Sequence, residues 1–172
     1  METRSWTTID KSDWGDGPWQ NEPDKIQWTD EKTGLPCLAV RSDSGAWCGY
    51  VGVTEGHPWY NANPFEIDLP QGVHGGLSGA TFCQDTGDES QGVCHTPGPG
   101  EPDHVYWLGF DCGHIWDKKP GNDALMRRVA PDLEEMRQAL SVGILAETYR
   151  DLAYVRDQCR HLAHQIHDKE TS

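Results

Sequence analysis

An apolar, aromatic run that ends abruptly in polar residues limits what this chain can fold into. Tyr106–Phe110 is apolar throughout and is followed at once by Asp111, Cys112, Gly113 and His114. A short apolar run bounded by turn signals predicts a buried β-strand. The end of that strand would place carboxylate, thiol and imidazole side chains at one edge of a sheet.

Turn-forming residues divide the preceding chain into further short apolar segments. We predict strands over residues 25–30, 35–41 and 46–53, joined as an antiparallel meander. Shorter pieces of strand are predicted at Ile67 and over Val73–Leu77. The chain holds 19 Gly and 11 Pro, and this density of turn formers excludes an all-helical protein.

The C-terminal part changes to a helical pattern. Pro131 followed by acidic residues is typical of a helix start, and Ser141–Gly143 predicts a break. A second helix is predicted from about residue 147 to 167, with one apolar stripe at 3,4,3,4 spacing. The stripe consists of Leu152, Val155, Cys159, Leu162 and Ile166. It favours packing on a sheet face, with a helix-to-helix seam in a homodimer as the alternative.

Together these segments predict an α+β fold. We expect a small, mostly antiparallel sheet with long Gly/Pro-rich loops and C-terminal helices packed on one face. A single domain over 1–172 is expected, made of a Trp-rich arm (1–24), the sheet and its loops (25–120) and a helical region (121–168).

Charge and targeting signals narrow the function classes. The formal net charge is −14, which argues against direct binding to nucleic-acid phosphates. The polar first residues predict no secretory signal, and no apolar run approaches the length of a membrane span. A cytoplasmic protein is expected, with its six cysteines mostly reduced. Phosphate-loop, dinucleotide-binding and hydrolase-elbow motifs are absent.

Three residues near glycines form a candidate metal site. Asp111 and His114 stand three apart after the predicted strand, and His74 lies among glycines in an earlier loop. Two histidines and a carboxylate suit Zn²⁺ or Mn²⁺, and such an ion can activate water. Glu66 and Asp103 are the candidates for a general base. The alternative is that Asp111 caps the following turn and the histidines are structural.

Aromatic residues offer a second kind of site, a pocket for a nucleotide-like small molecule that stacks on flat rings. The alternative is that most of these aromatics form the core. The candidate ligand-binding residues are Trp47, Tyr50, His57, Tyr60 and Trp107.

Four segments of the chain carry a resemblance to known sequences. They are Trp47–Val53 with His57-Pro58, Val73–Leu77, Gly109–His114 and Tyr149–Val155. Over roughly residues 20–167 the chain resembles an uncharacterised family of small phage and prophage proteins. The resemblance implies a phage-type gene product that acts in a bacterial cytoplasm and modulates the host or its defences. It implies no activity and no site residue.

Three functional hypotheses follow. The first is a phage-type accessory protein that binds a nucleotide-like ligand, sequestering a host defence signal. The second is a metal-assisted hydrolase using His74, Asp111 and His114. The third is an acidic inhibitor that binds a host protein. The site hypotheses rest on the expectation that His57, His74 and His114 meet in space.

Overall fold

The protein folds around a six-stranded antiparallel sheet. The structure is a computed structural model that describes residues 1–84, 86–140 and 146–170. The strands are β1 (Arg4–Trp6), β2 (Lys25–Thr29), β3 (Pro36–Arg41), β4 (Trp47–Val53), β5 (Gly79–Phe82) and β6 (Tyr106–Asp111). The helices are α1 (Pro120–Val129), α2 (Pro131–Leu140) and α3 (Leu152–Glu170), with 3₁₀ turns at Pro18–Asn21 and Pro64–Glu66. The strand order is β1-β2-β3-β4-β6-β5.

The predicted α+β class and the central meander are confirmed. Strands β2, β3 and β4 pair in sequence order, with Trp28 opposite Cys37 and Leu38 opposite Tyr50. Strand β6 then pairs with β4, so that Asp111 lies opposite Cys48 at its end.

Two strands lie where the sequence analysis did not place them. β1 falls inside the Trp-rich arm and pairs with β2. β5 occupies Gly79–Phe82 on the far side of β6, so the predicted strand at Val73–Leu77 was wrong. The reason is hydrogen bonding: residues 79–82 pair with the edge of β6, whereas the Val73 carbonyl accepts from the Gly76 amide (2.9 Å) in a turn.

Alternation along the strands divides the core between the two sheet faces. Tyr106, Leu108 and Phe110 belong to the larger cluster beneath α3. Trp107 points the other way and packs with Leu38 and neighbouring residues. This division between adjacent residues follows from the two-residue period of a β-strand.

Helix α3 covers one face of the sheet with its apolar stripe. Val155, Cys159, Leu162 and Ile166 are fully buried in the larger cluster, so packing within the chain occupies the stripe considered for a homodimer seam. The helix begins at Leu152 rather than near 147, because the Asp151 carboxylate accepts from Tyr154 N (2.8 Å) and caps the first turn. The break predicted at 141–143 lies outside the described residues.

The cysteines depart in part from the expected reduced state. Cys83 and Cys94 form a disulfide that links the end of β5 to the loop before β6, and their separation of 11 positions gave no sequence signal for the pair. Cys37 and Cys159 are buried core residues, as predicted. No helix among the described residues has the length and apolar character needed to cross a bilayer.

Candidate metal centre

Two separate segments bring a cluster of polar side chains to the rim of the sheet, beside the start of α3. His74 lies in the glycine-rich loop before β5, and His114 and Asp117 lie in the turn after β6. Lys119 fixes this turn, because its ammonium donates to the carbonyls of Gly113 (3.0 Å) and His114 (2.9 Å). His74 and Asp117, which are 43 positions apart in the sequence, are therefore in direct contact.

The donor atoms of His74, His114 and Asp117 all lie within 4.8 Å of one another. Asp117 Oδ2 is 2.8 Å from His74 Nε2 and 3.2 Å from His114 Nδ1. Two ligands each roughly 2.1 Å from one ion stand about 3.0 Å apart at a right angle and about 3.4 Å apart at a tetrahedral angle. The 3.2 Å separation falls within that range, and the 2.8 Å separation is slightly shorter.

The Asp117 carboxylate is buried and held on every side. Its side chain is 0% exposed, and Arg150 Nε donates to its other oxygen, Oδ1, at 3.1 Å. Thr148 forms a parallel bridge with Asp117, and the Lys118 amide donates to the Thr148 carbonyl at 3.0 Å. This backbone pairing is what places Arg150 on the carboxylate.

Hydrogen bonds decide the protonation of Asp117. Burial alone would raise the pKa of this carboxyl group, but hydrogen bonds from His74, Arg150 and the His114 amide outweigh it and hold the pKa below its ordinary value. Asp117 is therefore ionised at neutral pH and can serve as a ligand.

His74 is oriented from behind by α3. Its amide donates to Gln158 Oε1 (2.9 Å), and its Nδ1 is 2.9 Å from Tyr154 Oη. In the neutral ring that donates from Nε2 to Asp117, Nδ1 accepts from the Tyr154 hydroxyl. When Nε2 instead binds a metal ion, the proton can move to Nδ1 and be donated to Tyr154, the outer hydrogen bond that metal-binding histidines usually make.

Gly75 allows the two histidine rings to approach. Its φ is +69°, and a Cβ at this position would collide with the His114 ring. The two rings lie edge to face with centroids 5.1 Å apart. The glycine beside His74, noticed in the sequence, is thus required for the cluster to form.

His114 faces outward from the cluster. Its side chain is 25% exposed, and its ring stacks on the half-exposed Trp116 at 5.1 Å with 4° between the planes. Ile115 beside it is 84% exposed. The described residues thus give the cluster one open side, which carries apolar and aromatic surface.

Asp117 occupies the position that the sequence analysis assigned to Asp111. The Asp111 carboxylate accepts from Gly113 N at 2.9 Å, so it caps the turn, as the alternative interpretation expected. This turn reverses the chain direction and brings Asp117, three residues beyond His114, onto the two histidines. The i, i+3 spacing of His114 and Asp117 was the signal that could have found it.

Three other predicted site residues lie apart from the cluster. His57 is buried, donates from Nε2 to Ile166 O (3.1 Å) and accepts at Nδ1 from Trp59 N (3.0 Å). Ile166 is twelve residues beyond Tyr154, about 18 Å along α3. Glu66 is exposed and bonded to Asn63 (2.9 Å), and Asp103 is exposed near His95. None of the three belongs to the group of donor atoms formed with His74 and His114.

The aromatic residues proposed for ligand binding are divided between the two faces of the sheet. Trp47 and Tyr60 pack with the cluster under α3, whereas Tyr50 and Trp107 pack on the opposite face. Trp47 and Trp107 are both fully buried. Residues on opposite faces cannot line one pocket, and the half-exposed Trp116, which the sequence analysis passed over, lies instead beside the metal-ligand cluster.

The described residues contain a second group of donor atoms, formed by Cys83, Cys94 and His95.

No family model, curated protein or solved structure matches this chain. Functional inference therefore rests on the geometry of the chain itself.

Proposed function

We propose that this protein binds a divalent metal ion, Zn²⁺ or Mn²⁺, at His74, His114 and Asp117 and uses it to activate water for hydrolysis. The observation that carries the proposal is the convergence of the three donors at ligand spacing around an ionised, buried carboxylate.

The surroundings of the cluster support this proposal. Each ligand has an outer partner that fixes it: Tyr154 for His74, Arg150 for Asp117 and the stacked Trp116 for His114. Two histidines and one carboxylate leave coordination positions for water on the open side. A metal ion lowers the pKa of bound water and so supplies a nucleophile at neutral pH, which makes a separate base such as Glu66 or Asp103 unnecessary.

A nucleotide-like ligand is the substrate class that the open side favours. The half-exposed indole of Trp116 offers a face for a base, and the Arg150 guanidinium brings positive charge to Asp117. A phosphate group could then approach the metal ion while the base stacks. We further propose that this hydrolysis takes place in a bacterial cytoplasm as an accessory function against host defence, which is the context that the resemblance to phage proteins implies.

Thermal melting with Zn²⁺, Mn²⁺ and Mg²⁺ tests metal binding, because an ion at 100 times its Kd should add about 2.7 kcal/mol. His114→Ala should abolish the shift in protein whose disulfide is intact. The matched control is His104→Ala, at an exposed histidine that precedes β6, whereas the turn follows β6. No shift with any ion, or an equal shift in both variants, would contradict the proposal.

Hydrolysis of model phosphodiesters and of mono- and cyclic nucleotides tests the reaction. We expect metal-dependent turnover that His114→Ala removes, and weaker nucleotide binding in Trp116→Ala. Metal binding without turnover of any member of the panel would contradict the hydrolase assignment.

A further inference from the structure

A second metal-binding arrangement lies on the opposite side of the sheet from α3, where the disulfide meets a buried histidine. Cys83 follows β5, and Cys94 and His95 lie in the loop that leads towards β6. His95 contacts Trp107 edge to face with ring centroids 5.4 Å apart, and Trp107 belongs to the smaller core cluster. None of these residues takes part in the site around Asp117.

His95 is held in the form that a metal ion requires. Its Nε2 is 3.1 Å from the carbonyl oxygen of Pro102. Because a carbonyl can only accept, Nε2 carries the proton and Nδ1 presents a lone pair. That Nδ1 lies 3.9 Å from Cys83 Sγ.

The separations fit a tetrahedral ion once the sulfur–sulfur bond is broken. With zinc–sulfur bonds of about 2.3 Å and zinc–nitrogen bonds of about 2.0 Å, sulfur and nitrogen ligands stand about 3.5 Å apart and two sulfurs about 3.8 Å apart. The observed 3.9 Å between His95 Nδ1 and Cys83 Sγ is close to the sulfur–nitrogen separation. A cavity of about 200 Å³ borders Cys94 and His95, which leaves room for water as the fourth ligand.

We propose that Cys83, Cys94 and His95 form a redox-controlled zinc site, closed as a disulfide under oxidising conditions and able to bind Zn²⁺ when reduced. A dithiol reductant would transfer two electrons and two protons to the disulfide, leaving two thiols and a cyclic disulfide of the reductant. Zn²⁺ would then bind the two sulfurs as thiolates, with release of two protons.

The disulfide and the proposed zinc ion would each close the loop between Cys83 and Cys94, which lies over a buried lysine. Lys25, only 1% exposed, donates through Nζ to the carbonyls of Glu89 (2.7 Å) and Gln91 (2.9 Å), both between the two cysteines. A bound zinc ion would hold these carbonyls in place after the covalent link is lost. The expected reducing conditions of a cytoplasm make the metal-bound form the relevant one there.

Cobalt titration of the full chain tests this proposal, because Co²⁺ bound to thiolate shows sulfur-to-metal charge-transfer absorption that the sulfur-free site at Asp117 cannot produce. Reduced protein, with six thiols confirmed by thiol counting, should show the band as Co²⁺ is added and lose it on addition of Zn²⁺. Oxidised protein should not show it.

Variants assign the band to these residues. Cys83→Ser should abolish it, and His95→Ala should weaken Co²⁺ binding at least about tenfold. Cys48→Ser, at a free and partly buried cysteine, is the matched control and should retain the band. Circular dichroism confirms folding, and His95→Ala leaves both sulfurs in place should Cys83→Ser misfold. Absence of the band in reduced protein, or the same band in oxidised protein, would overturn the proposal.

Discussion

At the scale of single residues, a few hydrogen bonds to one carboxylate define the cluster around Asp117. One buried carboxylate receives both histidine rings, and its second oxygen receives Arg150. The turn amide at His114 adds a further hydrogen bond (3.1 Å). Substitutions at this carboxylate and at the glycine beneath His114 should therefore have specific, separable effects.

Replacing Asp117 with asparagine keeps the shape of the side chain and removes its charge. We expect affinity for Zn²⁺ or Mn²⁺ to fall at least about tenfold, because a charged oxygen ligand is replaced by a neutral one. Isothermal titration of oxidised protein measures the change. Unaltered affinity would show that Asp117 is not a ligand.

The same carboxylate makes stability depend on pH. The pKa of Asp117 is below its ordinary value in the folded protein, and the value in the unfolded chain is about 3.9. As the pH falls below about 4, the unfolded state binds more protons than the folded state, so stability decreases. Urea unfolding should show a steeper loss of stability in this window for the wild type than for Asp117→Asn, and equal slopes would contradict the assignment.

Gly75→Ala and Gly76→Ala form a matched pair. Both glycines have positive φ, so each alanine should cost at least about 1 kcal/mol in the free energy of unfolding. Only at Gly75 would the new Cβ meet the His114 ring, since Gly76 faces open space. We expect metal binding to be lost in Gly75→Ala and retained in Gly76→Ala, as measured by melting shifts. Retention in both would argue against the observed placement of His114.

At the scale of elements, one carboxylate joins the N-terminal arm to both the sheet and α3. Glu22 Oε1 accepts from Leu152 N (2.8 Å) at the start of α3, and Glu22 Oε2 accepts from Arg41 (2.7 Å) and Tyr149 (2.6 Å). The Arg41 guanidinium also lies over the Trp47 ring at 4.1 Å. The arm is therefore part of the architecture that positions the helix, and not an appendage held by tryptophans alone.

Removing Glu22 should release this junction. In Glu22→Ala, the buried Arg41 loses one of its two carboxylate partners and keeps Asp24 at 3.2 Å, and the first turn of α3 loses an acceptor. We expect a loss of about 2–3 kcal/mol in the free energy of unfolding, because buried donors are left without their charged acceptor. Glu31→Ala, at an exposed position before β3, is the control and should change stability by less than about 0.5 kcal/mol. Similar effects in both variants would contradict the role of Glu22.

Elements with a local periodic signal were predictable, and those that depend on distant pairing were not. The meander and the stripe from Val155 to Ile166 follow from periods of two and of about 3.6 residues. Strand β5 exists because β6 offers a free edge, which is a tertiary property. The contact between His74 and Asp117 spans 43 positions and depends on the turn at Gly113, so the sequence pointed to both histidines of the cluster but to Asp111 where the structure places Asp117.

At the scale of the whole molecule, the two donor clusters lie on different sides of one sheet and differ in their ligand chemistry. Nitrogen and oxygen donors meet beside α3, and sulfur donors meet nitrogen on the opposite side. Oxidation should close the sulfur site without affecting the other. The metal content of the oxidised chain therefore reports on the site at Asp117 alone.

The most direct test of the central claim is the metal content of the oxidised protein after equilibrium dialysis against Zn²⁺ or Mn²⁺. The account predicts one ion per chain in the wild type and in His104→Ala, and none in His114→Ala. An ion retained at full stoichiometry by His114→Ala, or no ion bound by the wild type, would contradict it.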